Sequence, residues 1–255
     1  MKQNILAVNM PVTLSITKNL ESISHAIQFA QSGDIVIFPE GAISGYSDSM
    51  NFLTKIDLVE CEKGFQFLRD SAKAKNIMIW AGSAIKENEH WFNAAIGFMN
   101  DGNIKTYLKI NLANVERGFF DTGKELSVFS IKPNLILGIQ ICRELKFPEQ
   151  WGLLARLGAN LIIHLNNAVG DSEIYDIWRS HLISRAAETQ RFVISVNNAG
   201  SAQKCPTIII DPHGKVLAEI NSDKLEFARV EIDLTKVSNS LLTQCRTDIV
   251  SIVNH

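Results

Sequence analysis

The chain has 255 residues, 46% of them hydrophobic and 20% charged, the make-up of a globular protein with a sizeable core. Its 25 basic and 27 acidic residues leave a net charge of −2, which lacks the basic face that nucleic acid selects. No apolar run approaches the roughly 20 residues of a membrane helix, and the apolar part of MKQNILAVNM is too short for a secretion signal.

Taken in chain order, the sequence alternates strands and helices. ILAVNM (5–10) reads as a buried strand. Residues 17–33 place Leu20, Ile23, Ala26, Ile27 and Ala30 at helical spacing, with Gly33 as the stop. DIVIFPE (34–40) is a second buried strand ended by proline, and 64–75 is helical. Residues 76–85, 92–99 and 103–110 follow as three strands, the last two joined by an Asp101-Gly102 turn. LILGIQI (135–141) is another buried strand. PEQWGLLARLG (148–158) is a helix opened by proline and closed by glycine. A strand at 159–165, a helix at 173–190 and strands at 192–200, 205–211, 215–220 and 227–233 complete the pattern, with Asp211-Pro212-His213-Gly214 as a turn. About ten strands and four helices in this mixture suggest two packed sheets with helices outside. No repeat, low-complexity tract or linker appears, so residues 1–255 read as one domain, the stretch 235–255 being the least typical.

Four cysteines (Cys61, Cys142, Cys205 and Cys245) are widely and irregularly spaced, with no CxxC pair. That argues against a zinc ribbon or a disulfide framework and for a cytoplasmic enzyme with free thiols. Neither HExxH nor a clustered metal-ligand spacing occurs. His164, inside an apolar strand, is the best-placed histidine partner for a cysteine, although a core histidine is the commoner reading of such a position.

Three polar residues close buried strands: Glu40 ends DIVIFPE, Lys109 ends TYLKI and Cys142 ends LILGIQIC. A rigid sheet places strand-end residues while the adjoining loop leaves them accessible. Singly, each has a plain alternative: a solvated acid, a surface charge, a small buried hydrophobe. Together with their flanks they carry more. FPEGAISGY (38–46), YLKINLANVERGFFDTG (107–123) and ICRELKFPEQW (141–151), in that order, resemble the three signature blocks of the carbon–nitrogen hydrolase (nitrilase) superfamily. The likeness spans roughly residues 5–235.

That resemblance implies an α/β fold, a four-layer αββα sandwich, and a Glu–Lys–Cys triad of Glu40, Lys109 and Cys142. The chemistry is coherent. A free thiol has a pKa near 8.5, so a carboxylate within reach, Glu40, would take its proton. An ammonium, Lys109, would steady the oxyanion formed when sulfur attacks a carbonyl or nitrile carbon. The backbone N–H of Arg143 is the natural second donor. Glu116 matches a second glutamate that orients lysine and substrate, the alternative being a surface pair with Arg117. Asn166 and Asn167 match pocket-lining positions or form a turn. Tyr46, Phe119 and Trp178 are candidate pocket walls, and Cys205 reads as structural.

The sequence departs from the family where Arg143 and Glu144 follow the nucleophile in place of an aromatic residue and Asp. Arg143 either reads a substrate carboxylate or pairs with Glu144 or another wall residue. Gln190 stands where asparagine is common, a pointer toward the branch acting on ω-amides of short dicarboxylates. The expected activity is hydrolysis of a small amide through a cysteine thioester, releasing ammonia, with no metal or organic cofactor. N-carbamoyl substrates come second, nitriles last, and a catalytically inactive binding or scaffold protein is the reading outside enzymes. The expected partners are a small-molecule substrate and a second copy of the chain, as a homodimer or higher homo-oligomer packed through the helices near 148–158 and 173–190. No nucleic-acid or membrane partner is expected.

Overall fold

The computed structural model describes residues 1–169, 172–203, 205–244 and 246, with the side chain of Ser172 left aside. Cys245 and most of the 235–255 stretch beyond Gln244 therefore lie outside the described residues. The elements are β1 (Lys2–Asn9), α1 (Ile16–Gln28), β2 (Ile35–Ile37), α2 (Leu58–Lys75), β3 (Met78–Glu87), β4 (His90–Phe98), β5 (Ile104–Leu108), β6 (Val128–Lys132) and β7 (Leu135–Ile141). They continue with α3 (Pro148–Arg156), β8 (Leu161–Leu165), α4 (Ser172–Thr189), β9 (Phe192–Val196), β10 (Thr207–Ile210), β11 (Val216–Ile220), β12 (Glu226–Asp233) and α5 (Ser240–Gln244).

The strands form two six-stranded sheets, ordered β12-β1-β2-β3-β4-β5 and β11-β10-β9-β8-β7-β6. Alternation along the strands builds the layers. Ile5 and Ala7 of β1, Ile35 and Ile37 of β2, Leu137 and Ile139 of β7, and Leu161 and Ile163 of β8 meet in one core between the sheets. The opposite faces go to the helices. Leu6, Val8 and Val36 pack with Ile23, Ile27 and Leu68 from α1 and α2. Ile162 and Val193 pack with Trp151, Leu154 and Leu182 from α3 and α4. The result is the expected αββα sandwich.

Local chemistry fixes the boundaries. Ser15 caps α1 by accepting from the Lys18 N–H, and Asp57 caps α2 through the N–H groups of Val59 and Glu60. Helix α2 thus begins six residues earlier than the hydrophobic pattern indicates, and α1 ends at Gln28 rather than running on to Gly33. Strand β6 is an addition to the expected elements, a half-buried edge strand of five residues whose periodicity is too short to register in the sequence. In the centre of each sheet the strands run parallel, β1-β2-β3 and β7-β8-β9. Their carboxyl ends are where such sheets present a crevice.

Candidate active site

Glu40 lies just past β2, Lys109 just past β5 and Cys142 just past β7, so the structure brings the three expected residues together from both sheets. Backbone hydrogen bonds hold the strand ends in place. Glu40 N–H donates to the Asn166 carbonyl at 3.3 Å, linking the crevice ends of the two sheets, and Lys109 N–H donates to the Asn93 carbonyl at 2.9 Å. Gly82 is required beside Glu40: a Cβ there would stand 2.5 Å from the Glu40 Cα.

The side chains form a buried, charged cluster. Lys109 Nζ donates to Glu40 Oε1 at 3.0 Å and approaches both oxygens of Glu116 at 2.9 Å. Asn93 Nδ2 bridges the two acids, 2.7 Å from Glu40 Oε1 and 2.7 Å from Glu116 Oε1. Tyr46 Oη and the Ala113 N–H also donate to Glu116, at 3.1 and 2.5 Å. Glu116 is thus the inner acid of the cluster and not a surface partner of Arg117. Burial works against the Lys109 ammonium, but the charges of Glu40 and Glu116 overcome it and raise its pKa, so it stays charged. Burial pushes the Glu40 carboxyl above the usual range, opposed by Lys109. Glu40 Oε1 has two donors; Oε2 is buried and has none. A buried acceptor left without a donor is costly and needs a reason.

Cys142 opens a 3₁₀ turn, Cys142–Lys146, with its own φ at +45°, in the left-handed region that disfavours side chains. Burial, and then the Glu40 charge, raise the thiol's pKa; Lys109 and the Asn167 backbone N–H draw it down. The resting sulfur therefore keeps its proton and needs a base to lose it. Glu144 fixes the turn. It is buried, and its carboxylate accepts from Tyr107 Oη at 2.9 Å, the Ile110 and Ile141 N–H groups at 2.8 Å and the Asn111 N–H at 3.1 Å. This ties the segment after Lys109 to the nucleophile turn. Trp151 Nε1 donates to the Glu144 carbonyl, and Arg185 clasps the Leu145 carbonyl.

Two readings of the sequence change here. Arg143 does not pair with Glu144, whose oxygens are occupied; it is exposed, and no hydrogen bond or ion pair engages it among the described residues. Gln190 is not a site residue. It has φ +54° at the end of α4, and its Oε1 accepts from Ser240 Oγ and the Leu241 N–H. Asparagine suits that place because it tolerates the left-handed region, so Gln190 points to no substrate.

Of the remaining candidates, Tyr46 serves Glu116, Phe119 is exposed and Trp178 packs beside His164. Asn166 is buried, its Nδ2 donating to Ser195 Oγ, while Asn167 Oδ1 accepts from Asn198 and Gln203. Cys205 lies in the core beneath α4, as expected of a structural residue. Asn93, Tyr107 and Glu144 escaped the sequence reading. A buried Asn in a strand of small residues is the one signal that could have found Asn93.

The description "Carbon-nitrogen hydrolase" matches residues 5–240. The chain belongs to the carbon–nitrogen hydrolase family. Among similar proteins, the 2-oxoglutaramate amidase of Bacillus subtilis (strain 168) is 31% identical, covering 87% of this chain and 88% of its own. The probable nitrilase C965.09 of Schizosaccharomyces pombe is 26% identical, covering 92% and 90%. The fold is that of the carbon–nitrogen hydrolase from Helicobacter pylori G27, with TM-score 0.85 and 19% identity over 97% of both chains. No helix among the described residues is long and apolar enough to cross a membrane.

Proposed function

We propose that this family member hydrolyses a small amide through a thioester on Cys142. The Cys142 thiol gives its proton to Glu40 Oε2 as sulfur bonds to the carbonyl carbon. Lys109 and the Arg143 N–H steady the oxyanion. As the intermediate collapses the C–N bond breaks and nitrogen takes the proton from Glu40, leaving as ammonia. Glu40 then draws a proton from water, which attacks the thioester and frees the acid and the thiol. Glu116 holds Lys109 in place. The observation that carries this reading is the divided Glu40 carboxylate, one oxygen saturated and the other buried without a donor. The test is ammonia release from a panel of small amides, N-carbamoyl amines and nitriles, wild type beside Cys142→Ala. Loss of release in the variant is expected; neither turnover nor a covalent adduct on Cys142 in the wild type would indicate a binding or scaffold protein.

For the substrate we propose an ω-amide that also carries a carboxylate. The support is the unengaged Arg143 guanidinium next to the nucleophile, suited to bidentate contact with a carboxylate. A relative whose name is 2-oxoglutaramate amidase agrees with it. The same guanidinium suits an N-carbamoyl amino acid, which the panel separates. Arg143→Ala should raise KM for anionic amides at least tenfold more than for neutral ones; equal effects would refute the carboxylate role.

We also propose a homodimer through α3 and α4, in a cytoplasmic single-domain protein. Leu153 and Ile177 stand exposed on those helices, and Leu157 at the end of α3. Sedimentation at micromolar concentration should give twice the monomer mass, and a monomer there would refute the proposal.

A further inference from the structure

His164 is a buried titratable group beside the nucleophile that the proposed chemistry leaves idle. It stands in β8 on the helix-facing side, fully buried between the rings of Trp151 at 5.5 Å and Trp178 at 6.3 Å. Its Nε2 lies 3.0 Å from the carbonyl oxygen of Cys142, its Nδ1 2.9 Å from Asn166 Nδ2 and 3.1 Å from Ser195 Oγ. A carbonyl oxygen only accepts, so Nε2 carries the proton; Nδ1 is bare and accepts from the Asn166 amide. The ring is neutral, because burial lowers its pKa to about 3. It contacts the backbone of Cys142 and so does not serve as a base for the thiol.

The carbonyl that His164 holds belongs to the Cys142–Arg143 peptide. That peptide is trans, so its C=O and N–H point in opposite directions. Holding the carbonyl toward the helix layer turns the Arg143 N–H the other way. Because Arg143 lies at the start of the 3₁₀ turn, its N–H has no partner within the turn. Cys142 itself sits at φ +45°, where the backbone has little intrinsic preference to hold it.

We propose that His164 is a positioning residue: its Nε2–H fixes the Cys142 carbonyl so that the Arg143 N–H stays presented to the oxyanion. Without that bond only the 3₁₀ turn holds the peptide, which can then tilt the Arg143 N–H away from where a donor is needed. The inference rests on the thioester reading, and its test separates the two.

The experiment compares wild type, His164→Phe, which keeps a ring between the tryptophans without a donor, and His164→Gln, which keeps a donor amide. Ammonia release and alkylation of Cys142 by iodoacetamide are measured on each. Alkylation forms no oxyanion, so a general collapse of the site would slow both. The expected result is a 10²- to 10³-fold loss of kcat for His164→Phe, the usual cost of one oxyanion donor. Alkylation should stay within about threefold and His164→Gln should recover at least tenfold of the lost turnover, margins far smaller than that donor effect. Equal loss of both readouts, or unchanged turnover, overturns the proposal. If His164→Phe does not fold, His164→Leu, which likewise lacks a donor for the Cys142 carbonyl, carries the same test: turnover must fall while alkylation does not. A wild type that alkylates but neither hydrolyses a member of the amide panel nor forms an adduct with one on Cys142 would instead refute the thioester reading.

Discussion

At the residue scale, the site depends on how each oxygen and nitrogen is occupied. Glu40→Gln keeps the contact with Lys109 but removes the base, and kcat for ammonia release should fall about 10²- to 10⁴-fold, the range of general base catalysis. Full activity in that variant would exclude Glu40 as the base. His164 supplies a pH test of stability. An unfolded histidine takes a proton near pH 6.5, whereas this buried one resists down to about 3. A depressed basic pKa contributes stability at neutral pH that is lost as pH falls from about 6.5 toward 3. Between pH 7 and 5, the unfolding free energy of wild type from urea titration should drop more than that of His164→Gln, by up to about 1.4 kcal/mol per pH unit. Parallel curves would place the proton elsewhere. Glu40, Lys109 and Cys142 were legible because each stands in a recognisable block at a strand end, and Glu116 because it follows Lys109 in the same block. Asn93 was not, because its meaning comes from Glu40, 53 residues away, and Glu144 takes its role from Tyr107, 37 residues away.

At the element scale, caps and close approaches decide more than hydrophobic pattern does. Every strand and helix with a long apolar face was legible; β6 was not, since three of its five residues are only half-buried and two are exposed. Glycine positions were equally opaque. Gly82 lies in the middle of β3 with nothing in its neighbours to mark it, yet the backbone of Glu40 occupies the space a methyl group would need. Gly82→Ala should destabilise the protein by about 1–3 kcal/mol, as overpacking usually does, and lower kcat at least tenfold by displacing Glu40. Thermal melting and ammonia release measured together check this. A variant with wild-type activity would show that the loop after β2 yields without moving the carboxylate.

At the scale of the whole molecule, the sandwich and the site are one construction. Glu40 and Lys109 extend from one sheet and Cys142 from the other, so their spacing is set by the core between the sheets. Ile139→Ala, deep in that core, should cost about 2–5 kcal/mol. It should lower the melting temperature, while Ile208→Ala on the helix side, with a similar loss of stability, should disturb kcat less. Equal effects on kcat would show that the sheet spacing is not what tunes the triad. The layered fold was legible in the mixture of hairpins and strand–helix–strand units, but the pairing of β1 with β12 was not, because nothing local announces a contact spanning nearly the whole chain. That pairing runs from Lys2 opposite Asp233 to Asn9 opposite Glu226. It sets a timetable for synthesis. Strand β1 leaves the ribosome well before its partner β12, and at about 5–20 residues per second the delay is about ten to forty seconds. From the synthesis of Cys142 until β12 is made, the newborn chain carries base, ammonium and nucleophile but an open sheet edge, so a message cut short after Cys142 and before residue 226 should yield a product that seeks strands from other chains rather than a slower enzyme.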